Sequence, residues 1–267
     1  MQFDLFPLKK PFHLILGFQI LRPVSILLTV FDSSTKRIYA QRRLKLSKSL
    51  DLLVKMPIVP DELTARIVSE NETQGRESFV LKRIEVKPDT KCPLELTEND
   101  CKFIAFAKWF STELPHLEAG EKGTIYQSEG FSILYLDSLK EGGTELTTPA
   151  RIDRSSGMIE ISKKAIADYT VPMLIIMLLH EYGHKWKNPE YKKEVANELT
   201  ADIIAVHIAL NLGFDYTEVE NCYRAVFAKK DTDLNRKRMK AISEFIHLFR
   251  ANEPTRCKAP RHASRPK

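Results

Sequence analysis

The sequence predicts an α+β protein in which an antiparallel β-sandwich precedes a small sheet and a bundle of helices. Residues 1–88 contain short runs that are rich in Val, Ile, Leu and Phe and are separated by residues typical of turns. After residue 170, apolar residues recur at helical spacing instead. The 267 residues are 43% hydrophobic and 28% charged, which allows a sizeable core and excludes a fully disordered chain.

Six strands are expected in the first domain, residues 1–88. They are His13–Leu21, Val24–Phe31, Lys36–Leu46, Leu50–Met56, Leu63–Val68 and Ser78–Lys87. In the last of them the alternation of apolar residues slips once between Leu81 and Ile84, which predicts a β-bulge. No cluster of His, Glu and Cys lies in this domain, so a binding or assembly role is expected of it rather than catalysis.

The two prolines within Lys87–Pro93 predict the boundary with a second domain, residues 94–252. Thr97 is expected to cap a helix over Glu98–Glu113. The remaining predicted elements are three strands, Thr124–Gln127, Phe131–Leu136 and Met158–Ser162, and four helices, Val171–Lys187, Tyr191–Leu212, Thr217–Lys229 and Asp233–Ala251.

Positive charge is concentrated at the C-terminal end. The stretch Lys229–Lys267 carries a net charge of +8, whereas residues 1–228 carry −2. Such an end, with its basic tail at residues 253–267, suits nucleic acid, an anionic membrane or an acidic protein surface. A solvated helix followed by a disordered tail explains the same charge. A surface on which nucleic-acid bases stack would need aromatic residues between the basic ones, and this stretch has few.

The remaining composition indicates a cytoplasmic protein. The four cysteines, Cys92, Cys101, Cys222 and Cys257, show no CxxC spacing and are expected to be reduced thiols. The first apolar run, Phe12–Leu21, follows no basic region and is interrupted by Gln19, so no signal peptide is expected. No stretch reaches the ~18–20 apolar residues of a membrane span.

Residues 180–184 read His-Glu-Tyr-Gly-His and follow the apolar run Val171–Leu179. His180 and His184 are four residues apart, so a helix places both imidazoles on one face, where one tetrahedral ion can bind both. Glu181 lies on an adjacent face, where it can hold a water molecule and act as general base.

A second pair of polar residues follows on the next predicted helix. Glu198 and Asp202 again share one helix face, beside the apolar run Ile203–Leu210. Two carboxylates next to a core are costly unless they are paired or bind a metal. Glu198 is therefore expected to be the third metal ligand, and Asp202 is expected to accept a hydrogen bond from a ligand histidine. Three protein ligands plus water are typical of a catalytic zinc site.

These two motifs resemble those of the gluzincin class of zinc metallopeptidases. The resemblance covers roughly residues 120–215. It implies a zincin-like domain with an active-site helix, a glutamate helix and a sheet whose edge strand borders the cleft. It also implies that zinc is bound by His180, His184 and Glu198, and that Glu181 is the general base. Such enzymes hold the oxyanion with a Tyr, His or Arg, for which Tyr223, Arg238 and His247 are candidates by residue type.

Three functions remain open from the sequence, of which nucleic-acid binding by the basic end is the weakest because few aromatic residues are interleaved there. The first is a zinc-dependent endopeptidase that hydrolyses a protein or peptide substrate. The second is an assembly component on a metallopeptidase fold, which contacts neighbouring subunits through the sandwich and the basic tail. The stretch Met56–Leu63, together with Phe79–Lys87, resembles β-sandwich modules in structural proteins of tailed bacteriophages, including the crAss-like group. That resemblance implies a virion location as the alternative to the cytoplasm.

Other residues near the motifs are interpreted structurally. Tyr182 and Trp186 are expected to pack, and Gly183 to let another element approach the helix closely. His207 lies about 180° around its helix from Glu198, so it is expected not to be a ligand. Arg151–Arg154 could border the cleft, although a solvated hairpin is slightly favoured.

Overall fold

The computed structural model describes residues 1–5, 11–60, 62–70, 78–88, 96–187, 194–228 and 231–256. The chain is α+β, with antiparallel pairing in most of its sheets and with five α-helices among the described residues. None of these helices combines the length and the apolar character that a membrane-spanning segment needs.

The first half forms two antiparallel sheets. Its strands are β1 (Gln2–Leu5), β2 (Phe12–Ile20), β3 (Val24–Asp32), β4 (Ile38–Leu46), β5 (Leu50–Met56), β6 (Leu63–Ser69) and β7 (Phe79–Pro88). One sheet has the order β1-β6-β3-β4 and the other has the order β5-β2-β7. The six predicted strands are present, whereas β1 was not predicted because four residues are too few to show an alternation.

The expected bulge lies in β7. Gly17 of β2 pairs with Arg83, but the next residue, Phe18, pairs with Leu81. Lys82 is therefore the additional residue, and the predicted slip is confirmed at this position.

The second half begins with α1 (Glu98–Glu113), which has the predicted bounds. The Thr97 hydroxyl accepts a hydrogen bond from the Asp100 amide, and the Asp100 carboxylate accepts one from the Thr97 amide. This reciprocal pair satisfies two amides that a helix start would otherwise leave unpaired.

A four-stranded mixed sheet follows α1. Its strands are β8 (Thr124–Ser128), β9 (Phe131–Leu136), β12 (Ala150–Ile152) and β13 (Met158–Ser162), and a small hairpin of β10 (Lys140–Glu141) and β11 (Thr144–Glu145) lies between β9 and β12 in the chain. The order is β12-β13-β9-β8, with β9 and β13 parallel and the other pairs antiparallel. The three predicted strands are present. The short edge strand β12 was not predicted, and it is the strand that lies beside the candidate site.

The remaining helices are α2 (Val171–Tyr182), α3 (Glu194–Leu212), α4 (Tyr216–Ala228) and α5 (Asp233–Arg256). The predicted helix Val171–Lys187 ends as an α-helix at Tyr182 and continues as a π-helical turn over Gly183–Lys187. The last helix extends five residues beyond its predicted end. Most of the basic tail, from residue 257 onward, lies outside the described residues, as do Cys92 and Cys257, whereas Cys101 and Cys222 are free thiols.

Buried side chains of both halves belong to one hydrophobic core. The halves also meet through polar groups at the start of α4. Nη2 of Arg42, on β4, lies 3.0 Å from Oδ2 of Asp215, and the Gln41 amide donates to Oε1 of Glu218 over 3.2 Å. The predicted boundary at Lys87–Pro93 falls largely on residues 89–95, which are outside the described part of the chain.

Candidate metal centre

The two histidines of the motif face each other across one helical turn. His180 lies in the last turn of α2 and His184 in the π-helical turn, and their Nε2 atoms are 3.0 Å apart. Every other residue of α2 is buried, because the helix runs through the core with apolar residues on all sides. Because α2 is packed on all sides, it fixes the positions of the His180 imidazole and of the π-helical turn that carries His184.

Glu198 of α3 completes the cluster. Its Oε2 lies 3.4 Å from Nε2 of His180, and its Oε1 lies 3.2 Å from Nε2 of His184. One potential ligand atom from each of the three residues lies within 4.8 Å of the other two. Two imidazoles and one carboxylate are the donor set of a catalytic zinc site that leaves a fourth position open, so these residues fit such an ion.

A glycine allows α3 to approach the histidines. A Cβ atom added to Gly183 would lie 3.2 Å from Cα and 3.4 Å from the carbonyl oxygen of Ala201. Both atoms are backbone, so a side chain could be accommodated only if one helix moved. The close approach that was predicted at this glycine is confirmed, and it brings Glu198 within reach of the histidine pair.

Asp202 supports the cluster from a fully buried position. Its Oδ1 lies 2.9 Å from Nδ1 of His180, which is the contact that the spacing predicts. Arg238 of α5 donates from Nε to Oδ2 of Asp202 over 2.6 Å and from Nη2 to Oδ1 over 2.8 Å. Nη2 of Arg238 also lies 3.2 Å from Oε2 of Glu198, so one guanidinium contacts both Glu198 and Asp202.

The three candidate oxyanion residues have different positions. Tyr223 and Arg238 line the cavity beside the three candidate ligands, and the Tyr223 hydroxyl donates to the Asp202 carbonyl over 3.3 Å. Burial raises the pKa of Tyr223 well above its usual value, so its hydroxyl stays a proton donor. His247 is exposed and does not line the cavity. It follows Arg238 by nine residues, which is about 180° around α5, so the helix directs the two side chains to opposite sides.

The pKa values of two residues of the cluster, His180 and Glu198, are strongly perturbed. Burial disfavours protonation of His180, but its contacts with Asp202 and Glu198 outweigh burial and raise its pKa to about 10. Burial also disfavours the charged form of Glu198, yet hydrogen bonds from His180 and His184 hold its pKa well below the usual range. The site therefore attracts positive charge, and a divalent cation can take the place of the proton on His180.

Glu181 lies at the same cluster but is not one of its three ligands. Its side chain is buried and lines the cavity. Burial raises the pKa of Glu181, while the neighbouring charges of His180 and His184 partly oppose this change. A carboxylate with a raised pKa beside an open metal position is suited to accept a proton.

A cavity of about 290 Å³ opens beside the cluster. Its lining combines polar residues, among them the three candidate ligands, with apolar residues of α2 and α4. The apolar lining includes Ile176, Met177, Val226 and Phe227, and β12 with its flanks contributes Thr148, Pro149, Ala150, Arg151 and Ile152. A few polar side chains within a largely apolar cavity are typical of a binding site for an organic substrate.

The segment Arg151–Arg154 borders this cavity and also belongs to the hairpin that was slightly favoured, because β12 and β13 pair antiparallel and residues 153–156 are exposed. Arg151, Ile152 and Arg154 are among its lining residues. Their position at the cavity could not be predicted from the sequence, because the three residues of β12 are too few to show a periodicity. The turn signal in Ser155-Ser156-Gly157 was visible, but it carries no information about what lies opposite the turn.

The residues interpreted as structural do pack. Tyr182 donates to Oδ1 of Asp100 and stacks on Phe103, with ring centroids 4.4 Å apart. Trp186 stacks on Tyr182 at 5.3 Å. His207 lies against Phe245 at 5.7 Å and is not among the three candidate ligands.

No protein-family model, curated protein sequence or solved structure matches this chain.

Proposed function

We propose that this protein is a zinc-dependent metallopeptidase, with a zincin-like catalytic domain that follows a β-sandwich. The convergence of His180, His184 and Glu198 at the wall of a cavity that also holds Glu181 carries this proposal. Proximity of three ligands alone would fit a structural site as well. The cavity, the buried carboxylate and the open side of the cluster favour catalysis.

A bound zinc ion would polarise the carbonyl group of the substrate and lower the pKa of a water molecule. Glu181 accepts a proton from the attacking water and later delivers it to the leaving amine. Asp202 accepts a hydrogen bond from the Nδ1–H group of His180, which leaves the Nε2 lone pair directed at the cluster. Arg238 holds Asp202 and Glu198 in place, and Tyr223 offers a neutral hydroxyl in the cavity.

The edge strand β12 supports a polypeptide as the substrate. β12 pairs with β13 on one side in the sheet order, and its residues Ala150–Ile152 line the cavity. An extended chain can add to such an edge through backbone hydrogen bonds, which place a peptide bond without requiring a particular side chain.

The test compares wild-type protein with Glu181→Gln. We expect both proteins to bind equal amounts of zinc, because Glu181 is not a ligand. Wild-type protein should cleave an unfolded protein substrate such as casein, and the variant should be slower by about 10²- to 10⁴-fold. Equal cleavage by both proteins, or no cleavage by zinc-loaded wild-type protein on a broad peptide library, would contradict the proposal.

An assembly component on the same fold is the second candidate. In its favour, residues 2–88 form a two-sheet module that contributes no residue to the cavity lining, as far as the described chain shows. Deletion of Thr255–Lys267 separates the two functions. A free-standing peptidase should keep its activity and its monodispersity without the tail, whereas an assembly component should fail to join its complex even with Glu181 intact.

A further inference from the structure

The guanidinium of Arg238 lies over the face of an aromatic ring. Cζ of Arg238 is 4.8 Å from the centroid of the Phe227 ring. A guanidinium in this position is attracted by the negative face of the ring, and the attraction is stronger where water is excluded. Phe227 is 8% exposed and the Arg238 side chain is 13% exposed, so the contact is largely shielded from solvent.

The same guanidinium contacts the carboxylates of Asp202 and Glu198. It donates to Oδ2 of Asp202 over 2.6 Å and to Oδ1 over 2.8 Å, and its Nη2 lies 3.2 Å from Oε2 of Glu198. An arginine side chain has several rotatable bonds, whose conformational entropy opposes a single fixed geometry. The contact with Phe227 restricts these bonds, so the ring helps to keep the guanidinium where it meets both carboxylates.

Phe227 approaches Arg238 from a helix that is bonded to α3 at a second point. Tyr223 precedes Phe227 by about one turn of α4, and the centroids of their rings are 5.6 Å apart. The Tyr223 hydroxyl donates to the Asp202 carbonyl over 3.3 Å. This face of α4 therefore contacts the backbone of Asp202 directly and its carboxylate through Arg238.

Groups that orient the ligands of a metal ion change its affinity by about 10- to 100-fold. We propose that Phe227 is a positioning residue, whose ring holds the Arg238 guanidinium in the orientation that fixes Asp202 and Glu198 for metal binding. Phe227 acts on the candidate ligands only through Arg238. The inference rests on the zinc site of the proposed function, but it does not depend on the hydrolytic step.

Phe227 also lines the cavity, so its replacement alters the wall that a substrate would contact. Rates of cleavage would mix this effect with any effect on the metal centre. Zinc affinity separates the two, because it is measured without a substrate. A change that alters the charge of the ring face but hardly its shape separates the attraction for Arg238 from ordinary packing.

The test replaces Phe227 in the full chain by phenylalanines that carry one, two or three fluorine atoms on the ring, introduced by suppression of a stop codon. Fluorine withdraws electrons from the ring, so each atom weakens the attraction for a cation. Competition with a chelator of known affinity gives the dissociation constant for zinc. We expect this constant to rise with each fluorine atom, and by about 3- to 30-fold for three atoms.

The same series at Phe110 is the matched control, because this buried ring lies against the rings of Tyr126 and Tyr135. It should leave zinc affinity unchanged. The Phe227 series is then repeated in a chain that carries Arg238→Met, where the fluorine atoms should no longer change zinc affinity. The same comparison in the unfolding free energy of the zinc-free proteins should show the loss of coupling as well, whether or not the Arg238→Met protein binds zinc.

Zinc affinity that does not change with fluorination of Phe227, that increases with it, or that falls equally in the Arg238→Met chain would overturn the inference. Cleavage of casein by the fluorinated proteins at saturating zinc would in that case leave the peptidase function standing. Conversely, a zinc affinity that falls with fluorination, in a protein whose Glu181→Gln variant cleaves as well as wild type, would uphold the inference and contradict the proposed mechanism. A wild-type protein that binds no zinc would overturn both.

Discussion

Nδ1 of His180 lies 2.9 Å from Oδ1 of Asp202, a carboxylate with no exposed surface that also receives the guanidinium of Arg238. The carboxylate that orients the His180 imidazole is therefore itself fixed by the Arg238 guanidinium. Such support fixes the tautomer and the ring orientation of a histidine before any ligand binds.

Replacement of His184 by Ala should abolish binding of zinc. The variant would leave one imidazole and one carboxylate, too few ligands for a tight zinc site. Zinc added to wild-type protein should raise its unfolding temperature, because an ion that binds the folded state stabilises it, and this rise should disappear in the variant. Metal analysis and thermal unfolding with and without a chelator measure both effects. His247→Ala, at an exposed histidine outside the cavity, should behave as wild type, and full zinc content in the His184 variant would reject the assignment.

Asp202→Asn should weaken zinc binding by about 10- to 100-fold while the protein remains folded. The amide keeps the size of the side chain but loses the charge that orients His180 and balances Arg238. Competition with a chelator of known affinity gives the dissociation constant. Asp231→Asn is the control, since this carboxylate also pairs with an arginine, Arg236, but far from the cluster in sequence and on the surface. Unchanged affinity in the Asp202 variant would show that the contact with His180 does not support the metal.

Gly183→Ala should destabilise the protein by roughly 1–3 kcal/mol, because the added methyl group meets the backbone of Ala201. Separation of the two helices should also move Glu198 away from the histidines and weaken zinc binding. Gly120→Ala is a matched control, since the nearest atom to a Cβ there lies at 3.7 Å, an ordinary contact. Denaturant unfolding compares the two variants. A stability loss no larger in Gly183→Ala than in Gly120→Ala would mean that the helices can separate at little cost.

Glu218 should make stability depend on pH. Burial raises its pKa from 4.5 to about 7, although Arg42 and the Gln41 amide oppose this and Asp215 adds to it. A carboxyl group with a raised pKa in the folded state resists ionisation, so stability falls as the pH rises from 4.5 through 7. The full cost, present above pH 7, is roughly 3 kcal/mol. The difference in unfolding free energy between Glu218→Gln and wild type should therefore change by about this amount in favour of the variant between pH 4.5 and 8. Parallel stability curves for the two proteins would contradict the raised pKa.

The parts of the site that the sequence predicted depend on local spacing. His180 with His184, and Glu198 with Asp202, are each separated by one helical turn, so a helix alone decides which face they share. The strands of the first half and the bulge at Lys82 were likewise visible as alternation and its interruption. Each of these features is encoded within about ten residues.

The parts that were missed depend on contacts between distant segments. Arg154 meets His184 across 30 residues, and Arg238 meets Asp202 across 36. Strand β12 is defined by its pairing with β13 rather than by its own three residues. Residue type identified Arg238 as a candidate, but its contacts with Glu198 and Asp202 follow only from the way that α5 packs.

The ion pair between Arg42 and Asp215 has a consequence for any attempt to transplant the second half of the chain. Asp215 and Glu218 are buried at the start of α4, the helix that supplies Tyr223, Val226 and Phe227 to the cavity wall. A fragment that began at residue 96 would retain these two carboxylates and lose the guanidinium that lies against them. Repulsion between the two acids would then act on the helix that shapes the cavity. Arg42, on β4 of the first half, thus neutralises negative charge in the second half. A chimaera that contains the second half would have to include β4 or replace both Asp215 and Glu218.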